Sequence, residues 1–448
     1  MNSRSSSPIS STSVGSVTTQ YWRFYWPLAL TGLAVVLSVQ FQNAALARFP
    51  EAVIELAIFA LAYSTFGLFR ASLNFVAQLS NVFARSSTGM ARTQRFVIAA
   101  SVLIMMPLLA IGHTQWGADG IGAVYGIDAV LTVRVTEYLV YLAPLVVLNA
   151  QRFYYTGLLV QARLTGWVTI LTVIYLACVI VGLVVGFSLG YEPVYVLVGS
   201  EGLALCIHLA GSLWVKVRHY RLPEVVEHED LSYRELIRFF VPVSTTGAMF
   251  ALSRPILYAF VARTPDGVLA IAAMRVAFDF SMMFQQAANQ FRHFFVTFGL
   301  DDLGNKRRFM AIVCVGITTI MLLVTLTPLS NLIWRDLMGI PDAVRVVAVD
   351  VILVMCLMPA VIIFRNYYHG RLMVERRTGG MAAGGILRVV GIYLLAHGCF
   401  AMGWLNYLSA SFILILGFVI EAGVVLLIAK RVVAHKGQGS RANATAKI

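Results

Sequence analysis

One apolar run carries the first chemical signal. Arg275, Asp279, Met282, Gln286, Asn289 and His293 fall at steps of four, three, four, three and four. That spacing puts them on one face of an α-helix, with Gln285 and Gln290 beside the stripe. Arg275 and Asp279 are placed to pair. The remaining groups either line a polar cavity or bond a neighbouring helix. A second stripe runs through Tyr63, Gly67, Arg70, Asn74 and Asn81, with Gln78 adjacent. Arg70 has no acidic residue within one helical turn, and an isolated arginine facing lipid is very unfavourable. Water, a partner helix or an anionic ligand must meet it. A third feature is Ser253-Arg254-Pro255. The proline interrupts the backbone ladder beside a permanently charged planar donor, so Arg254 either bonds the freed carbonyls or faces a substrate.

The elements that must hold these residues are membrane helices. Of 448 residues, 59% are hydrophobic and 12% charged. The charged share is about half that of an ordinary soluble domain, roughly 25%. A soluble enzyme and a disordered chain are excluded. The net charge is +13, and only five of the 34 basic residues are lysine. The charge sits in short loops between apolar runs, which fits positive-inside topology and not nucleic-acid binding. Cys178, Cys206, Cys314, Cys356 and Cys399 have no paired spacing and read as small buried groups. There is no CxxC, HExxH or P-loop pattern, so neither a metal nor a cofactor is expected. No nucleophile–base constellation supports an intramembrane enzyme.

A spanning helix needs about 20 apolar residues. Twelve runs qualify, roughly 22–46, 52–80, 95–113, 133–157, 166–189, 193–216, 237–262, 267–298, 308–330, 344–370, 380–400 and 404–430. Arg-rich connections follow the even-numbered spans, which puts them and both termini in the cytoplasm. The expected organisation is a disordered tail over 1–20, a six-helix bundle over 21–217, a linker over 218–236, a second bundle over 237–432 and a tail over 433–448.

The two bundles repeat each other. Arg23-Phe24-Tyr25-Trp26-Pro27 recurs as Arg238-Phe239-Phe240-Val241-Pro242. In the same register Thr31-Gly32 matches Thr246-Gly247, and Ala47-Arg48-Phe49-Pro50 matches Ala262-Arg263-Thr264-Pro265. Asn74 then aligns with Asn289. A second block aligns Arg152-Phe153-Tyr154-Tyr155-Thr156-Gly157 with Arg365-Asn366-Tyr367-Tyr368-His369-Gly370, and Arg163, Thr165 and Gly166 with Arg376, Thr378 and Gly379. Conservation of Arg, Pro and Gly at one spacing implies duplication of a six-helix unit. Six spans per unit make the repeats parallel, with a substrate site expected between them. Arg152, Arg365 and the adjacent tyrosines read as interface anchors or as a polar mouth. Glu201 and Glu421 hold similar places in spans six and twelve and, with Asp279, are candidates for carrying a coupling proton or ion.

Phe24 to Thr31 and the second-span blocks Ala52-Val53 and Leu61-Ala62-Tyr63-Ser64 resemble the progressive ankylosis proteins. So do Ser253-Arg254-Pro255-Ile256 and Ile386-Leu387-Arg388-Val389-Val390, in the seventh and eleventh spans. The resemblance implies the multidrug/oligosaccharidyl-lipid/polysaccharide flippase superfamily. There, two six-helix bundles enclose a cleft that opens alternately to each side. It also implies export of pyrophosphate and related anions such as ATP and citrate. The expected fold is therefore an all-α integral membrane protein of about 12 helices in two pseudo-symmetric bundles, like the multidrug and toxin extrusion (MATE) transporters. The expected function is a secondary transporter or flippase for a phosphate- or carboxylate-bearing solute or an anionic lipid headgroup. Arg70, Arg254 and Arg275 would attract the anion, and Asn74, Ser253, Gln286 and Asn289 would orient it. A MATE-type cation antiporter and a lipid-linked oligosaccharide flippase are the alternatives. The expected setting is a monomer among lipids in a bacterial inner membrane.

Overall fold

The structure is a computed structural model that describes residues 14–162, 164–221, 231–289, 291–374 and 379–445. Gln290 of the first stripe, Arg163, Arg376 and Thr378 of the repeat, and residues 222–230 of the expected linker lie outside the described residues, as does the side chain of His293.

The first half consists of α1 (Val14–Ala47), α2 (Ala52–Ala71), α3 (Val76–Phe83), α4 (Ser87–His113), α5 (Gln115–Tyr125), α6 (Ala129–Gln161), α7 (Thr165–Ser188) and α8 (Pro193–His219). The second consists of α9 (Tyr233–Ala251), α10 (Ser253–Val261), α11 (Gly267–Asn289), α12 (Phe291–Phe298), α13 (Leu303–Leu326), the short α14 (Leu329–Asn331), a π-helical turn (Leu332–Leu337), α15 (Asp342–Met355), α16 (Met358–Val374), α17 (Gly379–Ala401) and α18 (Tyr407–Thr445). Among the described residues, ten helical segments are long and apolar enough to cross a membrane. The remaining two expected spans are α1 and the broken pair α9–α10. The break precedes Pro255, which has no N–H to continue the ladder. Helix begins at Val14 and runs to Thr445, inside both segments expected as tails.

Local sequence sets the ends. Ser86, Thr114 and Asp128 accept from the backbone N–H three residues on, and Ser232 with Glu235 forms a capping box. The most apolar 18-residue windows of α4 and α7 are only 17% buried within the protein, so these helices turn their apolar faces outward to lipid. The matching window of α11 is 72% buried, which makes α11 a central helix.

The halves meet along α1, α2, α9, α10 and α11. Tyr25 donates to the Ala287 carbonyl at 2.8 Å, and Ser244 to the Ser72 carbonyl at 2.7 Å. Gly247, the repeated glycine, lets α9 rest on the end of α2, since a Cβ there would lie 2.4 Å from the Ala71 carbonyl oxygen. The glycine of the second repeated block does the same work twice. A Cβ on Gly157 would lie 1.9 Å from Ser80 Oγ in α3, and one on Gly370 would lie 2.5 Å from Phe295 in α12. The duplicated motif is therefore a helix-contact device in both halves.

Candidate functional site

Among the described residues, three groups of buried charge set one carboxylate near two arginines, while a further buried carboxylate, Glu55, pairs with Arg134. In the first, Arg254 at the start of α10 donates to Asp279 Oδ1 at 2.6 Å, while Arg275, one turn before Asp279 on α11, lies 3.7 Å from Oδ2. Asn43 of α1 joins them across the interface between halves. Its Nδ2 donates to Asp279 at 3.3 Å, and its Oδ1 accepts from Arg275 Nε at 3.0 Å. Arg275 also lies 4.1 Å from the Phe59 ring centre and is almost fully buried. Ser253 is buried, and its hydroxyl has no hydrogen-bond partner within the described residues.

The second group is in the C-terminal half. Glu421 of α18 accepts from Arg388 of α17 at 2.5 Å and from Arg365 of α16 at 3.2 Å, with His369 Nε2 at 3.5 Å. Both guanidinium groups sit over the Phe418 ring, Arg365 at 5.3 Å and Arg388 at 4.8 Å. Asn289 is buried here. Its Oδ1 accepts from Arg365 at 3.0 Å and from Asn366 at 3.3 Å.

The third group is in the N-terminal half and is built differently. Glu201 of α8 is buried and accepts from the Tyr63 hydroxyl at 2.6 Å. Arg70 and Arg152 are within its electrostatic reach, yet among the described residues neither has a carboxylate at ion-pair distance. Arg70 lies 5.8 Å from the Tyr63 and Phe66 ring centres, and Arg152 lies 5.2 Å from that of Tyr175. Both side chains are half-buried and keep accessible surface. A Cβ on Gly67, one turn before Arg70, would meet nothing within 4 Å. Asn74 and Gln78 are exposed, whereas Phe66, Leu73 and Val76 are fully buried. The α2 stripe therefore borders open space with its polar face.

Tyr63 joins the third group to the first. Its ring faces Arg70 at 5.8 Å and Arg275 at 5.7 Å. The residues expected to form one site thus divide. Arg254, Arg275 and Asp279 come together, Asn289 goes to Glu421, and Arg70 goes to Glu201. Gln286 is half-buried and Asn74 lies in the α2–α3 break.

Sequence reasoning missed Asn43, Arg152 as a deep group, Tyr175 and Arg388. One signal was present. The register that aligns Arg152 with Arg365 also aligns Tyr175 with Arg388. The N-terminal half thus has an aromatic ring where the C-terminal half has a second arginine on its carboxylate.

The sequence pattern of the progressive ankylosis protein (ANKH) family matches residues 13–263, more than half of the chain. Among solved structures, the lipid II flippase MurJ in an inward closed conformation superposes with a TM-score of 0.64 at 13% identity, covering 93% of this chain and 87% of that one. The eukaryotic MATE transporter AtDTX14 gives 0.64 at 13% identity, with 94% and 96% covered. A multidrug resistance MATE family transporter of the MOP superfamily, inward-facing, gives 0.62 at 14% identity, with 92% and 95% covered. These likenesses fix the fold as the one shared by the MurJ flippase and the MATE transporters, with the two bundles inferred from the repeat. With the sequence match spanning all of its first bundle and the start of its second, the chain belongs to the progressive ankylosis protein family.

Proposed function

We propose that this transporter fold carries an anionic solute bearing phosphate or carboxylate groups, and that Arg70 and Arg152 are the groups that meet it. The observation that carries this reading is their state. Both residues are half-buried among the helices, and among the described residues neither has a carboxylate within ion-pair distance. Guanidinium groups donate paired hydrogen bonds that suit phosphate and carboxylate oxygens. Tyr63 is half-buried beside Arg70, and Asn74 and Gln78 are exposed on the segment that follows it; they would supply neutral polar contacts. Arg254 keeps 25% of its side-chain surface accessible and offers a guanidinium from the opposite half, which an incoming anion would contest with Asp279. Arg275, Ser253 and Asn289 hold the frame. Glu201 is the coupling candidate closest to the anion-facing pair, and its hydrogen bond to Tyr63 connects it to that pair.

A cation antiporter would need acidic groups in excess. Here each of Asp279, Glu421 and Glu201 is outnumbered by arginines. The lipid II flippase likeness makes a lipid-borne anion a variant of the same chemistry.

The test is flux into proteoliposomes with pyrophosphate, ATP, citrate and cationic dyes offered separately. The parent moves at least one anion, and Arg70→Gln or Arg152→Gln lowers that flux at least tenfold at equal insertion. Dye flux that survives both substitutions, with no anion flux in the parent, overturns the proposal.

A further inference from the structure

At the end of the bundle opposite the termini, the repeat produces the same contact twice. Arg48 follows α1, and Arg263 follows α10 at the equivalent position of the second half. Each donates through Nη1 to the carbonyl four residues back in its own helix, Arg48 to Ala44 at 3.3 Å and Arg263 to Ala259. Each donates through Nη2 to a carbonyl of the other half. Arg48 reaches Leu337, at the end of the π-helical turn, and Arg263 reaches Ala123, in the last turn of α5.

The acceptors are alike. The last carbonyls of a helix have no partner within it and carry the negative end of its dipole. Both helices end on a left-handed glycine, Gly126 at φ 64° and Gly339 at φ 69°. The arginine stem lies against that glycine each time. A Cβ on Gly126 would sit 2.6 Å from Arg263 Cγ, and one on Gly339 would sit 2.9 Å from Arg48 Cγ. Each glycine is needed both for its backbone angle and for the arginine's approach. At the termini end the halves meet through ring contacts, such as Tyr21 with Phe294 at 4.8 Å and Phe83 with Phe239 at 5.5 Å, together with single hydrogen bonds from Tyr25 to the Ala287 carbonyl and from Arg92 to the Leu231 carbonyl.

We propose that Arg48 and Arg263 are a pair of two-fold-related latches. Each caps the free carbonyls of a helix in the other half, and both must release for the cleft to open at the end opposite the termini. The proposal rests on the alternating-access reading. A planar fork spanning two carbonyls in different halves is made or lost as a unit, which suits a two-position closure.

The experiment uses the full chain in nanodiscs, with its five native cysteines replaced and spin labels at Gly120→Cys and Asp336→Cys. The label-to-label distance distribution is measured without substrate. The parent gives one narrow short distribution. Arg48→Ala/Arg263→Ala raises the population at longer separation about tenfold, and each single variant gives a smaller rise. If the alanine pair does not purify, Arg48→Met/Arg263→Met decides by the same criterion, since methionine keeps an unbranched stem but donates no hydrogen bond to either carbonyl. Distributions identical to the parent in the folded double variant overturn the latch. The readout needs no transport. A shifted distribution with no anion flux in the parent refutes the anion reading and leaves the latch standing, whereas an unshifted one with flux refutes the latch alone.

Discussion

Glu421→Gln tests whether excess positive charge is built into the frame. Glu421, Arg365 and Arg388 keep 5%, 3% and 1% of their side-chain surface, so water cannot compensate a lost charge. Removing the carboxylate leaves two guanidinium groups facing each other among rings. Breaking a buried pair this way costs about 3–5 kcal/mol. Arg388→Met acts differently, because Glu421 keeps Arg365 at 3.2 Å and the remainder is a balanced pair. The loss is then mainly the contacts of Arg388 with the Phe250 and Phe418 rings, both at 4.8 Å, worth about 1–2 kcal/mol. The thermal midpoint of purified protein in detergent, followed by the fraction that remains monodisperse, reads the order. Glu421→Gln should lower it by roughly 6–20 °C, taking each half as a unit of about 200 residues. Arg388→Met should lower it less than half as far. If Arg388→Met is at least as damaging, Glu421 is not neutralising an arginine surplus and the reasoning fails.

Asn43→Leu removes both links to Asp279 and Arg275 from a fully buried position and should cost about 1–3 kcal/mol, read as a lower thermal midpoint. Gly157→Val and Gly370→Val should each cost about 1–3 kcal/mol by driving α6 off α3 and α16 off α12, read as a lower thermal midpoint, while Gly67→Ala, which meets open space, should change stability by no more than about 1 kcal/mol. Tyr175→Arg restores in the N-terminal half the arginine present at the equivalent position of the other. It should pair Glu201 and weaken anion flux several-fold without changing insertion.

The spans, their repeat and the paired Arg275 and Asp279 were legible because each is a pattern within one element or one register. Periodicity along α11 placed Arg275 one turn from Asp279. It could not show that the tighter partner of Asp279 is Arg254, on another helix, or that Asn43, 236 positions away, closes the group. Partner choice between helices depends on packing and leaves no spacing to read. Arg152 and Arg365 look alike in the motif, yet one is bound to a glutamate and the other is not. Beside Arg152 the neighbouring helix carries the Tyr175 ring, and at the equivalent position near Arg365 it carries Arg388. The latch arginines were visible as repeated residues, but their acceptors are backbone carbonyls, which carry no residue signature.

Equilibrium binding of pyrophosphate, ATP or citrate to the purified chain, by titration calorimetry at fixed ionic strength, tests the central claim most directly. At least one of these anions should bind the parent, and Arg70→Gln and Arg152→Gln should each weaken that binding about tenfold or more, the loss of one charge-assisted contact. Binding of equal strength in the parent and both variants would contradict the account.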